Sequence, residues 1–151
     1  MFSKQQASQL KQEFWTAFGR YMQPVRSSEG EKVNWINYKT GAKNIHFRMQ
    51  AGKGASVSIE MLHTDDEQRT HHYNKMLQLA ALLKEALNEE WTWDISYKDE
   101  NGKTISRIYA ELEGVNIFNR QDWPALISFF KPRIIALDAF WNNVKHEFDV
   151  W

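Results

Sequence analysis

The chain has 151 residues, 42% hydrophobic and 14% aromatic with seven Trp, and its 19 basic and 19 acidic side chains cancel. That length makes one domain able to bury roughly 70% of its unfolded surface, and many aromatics with no net charge exclude a disordered chain. Without Cys there is no disulfide, thiolate–zinc site or Cys nucleophile; no run reaches the ~18 apolar residues of a membrane helix, and the polar start MFSKQQASQLKQ lacks the apolar core of a signal peptide, so a cytoplasmic, soluble protein with no membrane partner is expected.

Ser3 and Gln6 form a capping box that opens a helix with Leu10, Phe14, Phe18 and Tyr21 at helical spacing. Gln23-Pro24 ends it, and VRSSEGEK reads as a polar loop. Three strands are expected over 33–39, 44–50 and 55–62, separated by turns at Gly41 and at Gly52-Lys53-Gly54. Thr64 and Glu67 make a second capping box for a helix to about Asn88, with Tyr73, Met76, Ala80, Leu83 and Leu87 along one side. Trp91, Trp93, Ile95 and Tyr97 then alternate as a strand, read as core, before the hairpin turn Asn101-Gly102. Asp122 caps a last helix at Trp123-Pro124, in which Pro132 predicts a kink or break near Phe130–Lys131. Ile134, Leu137, Trp141, Val144 and Phe148 continue its apolar stripe. The order α-βββ-α-ββ-α predicts a single α+β domain, residues 1–151, with a mostly antiparallel sheet of about five strands packed with helices.

The segments KQEFWTAFGRYM (11–22), EKVNWINYKTGAKNIHFRM (31–49), GKTISRIYAELEGVNIFN (102–119) and QDWPALISFFKPRIIALDAFW (121–141) resemble a bacterial family of unknown function, number 4268 in the domain-of-unknown-function series. Its members are short free-standing chains or C-terminal parts of longer proteins with a nuclease-like module. The resemblance therefore implies a role around DNA, and it gives no residue a task.

Charge is unevenly placed. Up to His63 there are nine bases against four acids, and beyond it ten against fifteen. Between Glu31 and Glu60 five bases and no acid occur. If the Gly41 turn holds an even number of residues, Ile36, Tyr38, Ile45, Phe47 and Met49 share the core face with Val57, Ile59 and Met61. The opposite face then gathers Trp35, Asn37, His46, Arg48, Ser58 and Glu60, with Lys39 and Lys43 at one end and Lys53 at the other. A Trp beside an Arg suits a cation–π contact or a stacked base, and lysines suit phosphate. The plainer reading is the solvated face that most antiparallel sheets possess.

Catalytic patterns are weak. A helix, meander and helix invite comparison with a degenerate restriction-endonuclease-like core. That chemistry needs an Asp on the second strand and an acid-x-Lys on the third, to hold a magnesium ion. NIHFRM has no Asp, and SVSIEML offers Glu60 but Leu62 in place of Lys. HTDDEQRTHH is rich in possible ligands, but adjacent His71 and His72 diverge on a helix, and His63 would meet either only through the tertiary fold. Asp94 is expected to face Arg107 across the second hairpin, and Asp138 to be a helix-surface or buried paired acid. The expected function is a non-catalytic binding or accessory module contacting a protein or nucleic acid through the polar face of the 33–62 meander. Alternatives are a diverged nuclease-like enzyme acting on nucleic acid and a small-ligand domain built on the Trp residues. No catalytic residue, metal ligand or cofactor is assigned.

Overall fold

Alternation of apolar and polar residues along 55–61 organises the molecule. In the computed structural model, which describes residues 2–151, the extended segment β1 (Ile45–Met61) doubles back on itself. Leu62 N donates to Asn44 O at 2.7 Å, and Arg48 Nη1 lies 3.8 Å from Glu60 Oε1. Twelve residues of straight strand would separate those side chains by roughly 40 Å. The segment is therefore a hairpin with arms over 45–51 and 55–61, in the register that sets His46 opposite Glu60 and Arg48 opposite Ser58. Its tip needs glycine: Gly54 has φ +84°, and a Cβ there would meet Leu112 O at 3.2 Å.

The second arm pairs antiparallel with β3 (Thr104–Asn116), which pairs antiparallel with β2 (Thr92–Lys98). The order is β1-β3-β2, so with two arms in β1 the sheet has four strands in space rather than five. The missing one is 33–39, which is irregular. The Asn34 side chain accepts from the backbone of Ile36 at 3.1 Å and Asn37 at 3.0 Å, a local turn that competes with strand pairing.

Helices build the other layer. The Ser3–Gln6 capping box opens α1 (Lys4–Met22), which buries Phe14, Phe18 and Met22 and leaves Tyr21 exposed. Asp65, not Thr64, caps α2 (Asp66–Gln78), accepting from Glu67 N and Gln68 N. The helix expected to run to Asn88 is broken at Leu79 (φ −100°, ψ 9°), and α3 (Ala80–Leu87) follows. The break lets α2 lie on the sheet while α3 packs on α4 (Trp123–Val144). Pro132 does not break α4. Phe129, Phe130, Ile134 and Leu137, on both sides of it, all sit in one core, and the Arg133 guanidinium donates to Phe129 O at 2.9 Å, supplying a donor beside the one proline lacks. Asp122 caps nothing on α4; its carboxylate accepts from Asn116 N at 2.9 Å.

Ile45, Phe47, Val57, Ile59 and Met61 point into this layer and share one cluster with Phe14, Phe18, Met76 and Trp141. The irregular segment 23–44 is pinned to the same core. Trp35 Nε1 donates to Val25 O at 2.9 Å, Trp141 Nε1 to Thr40 O at 2.7 Å, and Tyr38 Oη to Asp138 at 2.6 Å. Trp35 is buried and Ile36 exposed, the reverse of what a strand over 33–39 would give. Truncating Trp35 to Ala is expected to cost about 3–5 kcal/mol and Ile36→Ala less than about 0.5 kcal/mol, read as shifts in urea unfolding midpoint.

Candidate functional site on the helix-free sheet face

The even-numbered residues of β1 lie on the side away from the helices, yet several are buried. Ser58 is 0% exposed and Glu60 4%, and Arg107 of β3, the cross-strand partner of Glu60, is 4%. Arg107 Nε sits 3.4 Å from Glu60 Oε2, and Arg107 Nη2 donates to Ser56 Oγ at 3.1 Å. Ser58 Oγ donates to Glu60 at 3.1 Å. The guanidinium carbon lies 4.7 Å from the Tyr97 ring centre and 4.3 Å from that of Tyr109, so two rings shield the charge that no helix covers. Over this pair reaches Arg48, 3.8 Å from Glu60 and 3.3 Å from Glu100 of the β2–β3 turn. Each of these partners of Glu60 and Arg107 belongs to the sheet itself.

Arg107 is over-supplied with donors. A guanidinium carries five N–H groups; here one donates to Ser56, and Nε, though buried and beside Glu60, has no well-directed acceptor. Asp94 occupies the expected register opposite Arg107, but its carboxylate accepts from Ser96 N at 3.0 Å and Glu60 takes the arginine. Tyr97 reaches this face because the β2–β3 register shifts between Asp94 and Tyr97. Trp91 and Trp93 therefore pack toward the core, while Tyr97 turns out to Arg107 and Ile95 is exposed.

The structure brings together Arg48, Ser58 and Glu60 and places exposed His46 on the same face. It does not bring Trp35, which is core, so no Trp35–Arg48 contact forms. Asn37 and Lys39 line a separate cleft of about 340 Å³ over Asp138. Lys43 lies exposed in the turn before β1, and Lys53 is exposed at the hairpin tip. Arg107, Tyr97, Tyr109, Ser56 and Glu100 were not among the candidates. The alternation of TISRIYAEL puts Arg107 and Tyr109 on one face, but which strand neighbours β3 is a tertiary fact.

Two other clusters have structural explanations. Asp138, 1% exposed, accepts from Tyr38 Oη at 2.6 Å, Ser28 N at 2.7 Å and Asn142 Nδ2 at 3.3 Å. Burial and this carboxylate hold the Tyr38 hydroxyl far above its ordinary pKa, so it stays a donor. His63 does meet His72: their rings stack at 4.6 Å, and His72 stacks on Phe148 at 5.8 Å. Burial, then the neighbouring His72 and Arg69, lower His63 to about 4. Among the described residues no group of three or more His, Cys, Asp or Glu is arranged to hold a metal ion. Glu60, the carboxylate a nuclease-like site would need, is engaged by two guanidiniums. Trp91 and Trp93 line a groove of about 270 Å³ with Leu83 and Leu87. No helix among the described residues is long and apolar enough to cross a membrane.

The model of a family described as "Domain of unknown function (DUF4268)" matches residues 10–145. No curated protein and no solved structure matches the chain.

Two outcomes follow from this geometry. Arg107→Met removes the buried partner of Glu60 and leaves it only the half-exposed Arg48; it is expected to cost about 3–5 kcal/mol, most of it restored by adding Glu60→Met, because replacing both members of a buried pair is near neutral. Urea unfolding of the single and double variants checks this. The folded pKa of His63, about 4, lies below the ordinary 6.5, so the unfolded chain binds the extra proton between those values. Its contribution is full above about pH 6.5 and is lost as the pH falls toward 4; His63→Phe should remove that pH-dependent loss from the unfolding midpoints.

Proposed function

Because the chain belongs to the DUF4268 family, a domain of unknown function, we propose its role from its surface: a non-catalytic binding module that contacts another protein through the helix-free face of its sheet. The observation that carries this reading is the pre-ordered Arg48–Glu60–Arg107–Tyr97–Tyr109 cluster on a face that no helix covers. An ordinary solvated sheet face needs only scattered polar side chains. This one gathers two arginines and two tyrosines around a buried carboxylate, and arginine and aromatic residues dominate the energetics of protein interfaces.

Its electrostatics favour protein over nucleic acid. Arg48 and Arg107 share the face with Glu60, Asp94 and Glu111, and Glu100 reaches over it. The lysines a phosphate track would need lie elsewhere: Lys39 beside the Asp138 cleft, Lys43 in a turn, Lys53 at the hairpin tip. Mixed signs suit a partner whose charges alternate in the same way, whereas a phosphate backbone demands net positive potential.

A photo-crosslinking residue at Gln50 or Thr92 is expected to yield a discrete protein adduct in cells that Arg48→Ala abolishes. The same residue at Glu85 on α3 should yield none. Fluorescence anisotropy with single- and double-stranded DNA and RNA at low salt should stay flat. Equal adducts from both faces, or saturable nucleic-acid binding lost in Arg48→Ala, would refute the protein-contact reading.

A further inference from the structure

We propose that the outer edge of the first hairpin arm, 45–51, pairs with the same edge of a second copy of this chain, antiparallel and centred on Met49, so that the two sheets become continuous. This edge is separate from the sheet face read above as a protein contact, and the pairing leaves that face open on both copies.

The first arm is the last strand of its sheet: the second arm lies on one side of it, and no strand pairs with the other. Leu62 N bonds to Asn44 O across the hairpin, and such bonded pairs alternate along an antiparallel ladder. Even-numbered residues of the arm therefore turn their backbone groups toward the second arm, and odd-numbered ones turn theirs outward. Ile45 follows this rule, its N–H donating to Ala42 O at 3.3 Å and its carbonyl accepting from Thr40 Oγ1 at 2.7 Å. Phe47, Met49 and Ala51 find no such backbone partner among the described residues. A row of unpaired N–H and C=O groups is a template for one more strand. Beside it lie Met49 and Ala51, apolar residues left half-exposed at the margin of the core.

The occupant is a second copy because this edge is complementary to itself. With Met49 opposite Met49, Phe47 falls opposite Ala51 and Ala51 opposite Phe47. Each outward residue then meets an outward residue, and each pair exchanges two N–H···O bonds. On the helix side the large Phe47 faces the small Ala51; on the other side Arg48 faces Gln50, so no like charges oppose. Centring on Arg48 instead sets arginine against arginine and brings Ala51 to Ile45, whose groups are already used. The ends of the edge are closed as well. The 40–42 loop caps it at Ile45, and past Ala51 the chain bends to β3, where Gly52 O accepts from Ile117 N at 3.0 Å. A two-fold contact that uses one edge on each copy stops at a dimer.

Sedimentation velocity of the full chain across about 1 μM to 1 mM, the range of small interfaces, should show the mean mass rising from one chain, 17.9 kDa, toward two. Met49→Lys keeps an apolar stem against the core and sets two ammonium groups face to face. It should stay at one chain mass throughout, with the circular dichroism of the folded protein. The register has its own readout, because the chain has no Cys. Bonded pairs stand about 5.5 Å apart between Cα atoms, within disulfide reach, so Met49→Cys should oxidise to a dimer ahead of both Arg48→Cys and Glu85→Cys. Thr92 lies on the far edge strand, so its photo-adduct reports the sheet face and not this edge. A mass that stays at one chain up to the highest concentration overturns the proposal. So does dimerisation of Met49→Lys equal to that of the unaltered chain, or Arg48→Cys linking faster than Met49→Cys.

Discussion

A strand has two sides, and the alternation in 55–61 commits Val57, Ile59 and Met61 to one and Ser56, Ser58 and Glu60 to the other. Most of the remaining structure is consistent with that constraint. Once the odd residues of β1 face inward, α1, α2, α3 and α4 have one apolar surface to cover, and they contribute to a single cluster on it. The even residues are left with a buried carboxylate that the helices do not reach. β3 must supply a counter-charge in register, and Arg107 is the residue it sets opposite Glu60.

An ion pair in that position is an unusual choice on energetic grounds. Taking a carboxylate and a guanidinium out of water costs several kcal/mol per ion, and only good geometry recovers it. Here Ser56 and Ser58 supply hydrogen bonds and the two tyrosine rings supply shielding. The orphaned Arg107 Nε shows that recovery is incomplete. The arrangement also fixes strand order: sliding β3 by one residue would set Ser106 or Ile108 against Glu60 and leave the carboxylate unpaired, a heavy penalty for a wrong register. That service to the fold is compatible with the proposed place for a partner, because the same donors would serve both.

Much of the fold was legible in local signals. The Ser3–Gln6 capping box, the glycine-rich tip of the 45–61 hairpin and its face assignment all rest on residues a few positions apart, and the structure contains each of them. Readings failed where a short-range polar contact or the tertiary environment prevailed. NWINYK alternates like a strand, but Asn34 turns the backbone locally and Trp35 is drawn into the core. Pro132 should interrupt a helix, yet packing on both sides of it keeps α4 continuous. Tyr97 follows Trp93 at strand period, and one register shift moves it to the other face. Of the candidate site, Arg48, Ser58 and Glu60 were within reach because they lie in one hairpin. Arg107, Tyr109 and Glu100 were not, since they come from strands and turns whose neighbours no short window reveals.

The placement of charge on the outer face carries the synthesis one step further. An open sheet face made apolar would adhere to any hydrophobic surface, and one made only of isolated charges would be mobile and weakly selective. Burying Glu60 and Arg107 while exposing part of Arg48, Tyr97 and Tyr109 avoids both outcomes. Contacts with the buried pair restrict the groups above it, so in the proposed association part of their ordering entropy would already be spent on folding. The half-exposed groups keep enough polarity that a partner without matching charge would leave Arg48 or Glu100 desolvated and unpaired. Selectivity on a face of the proposed kind would arise from what it rejects as much as from what it attracts, and the feature that would allow it is that β1 holds Glu60 on the side away from the helices.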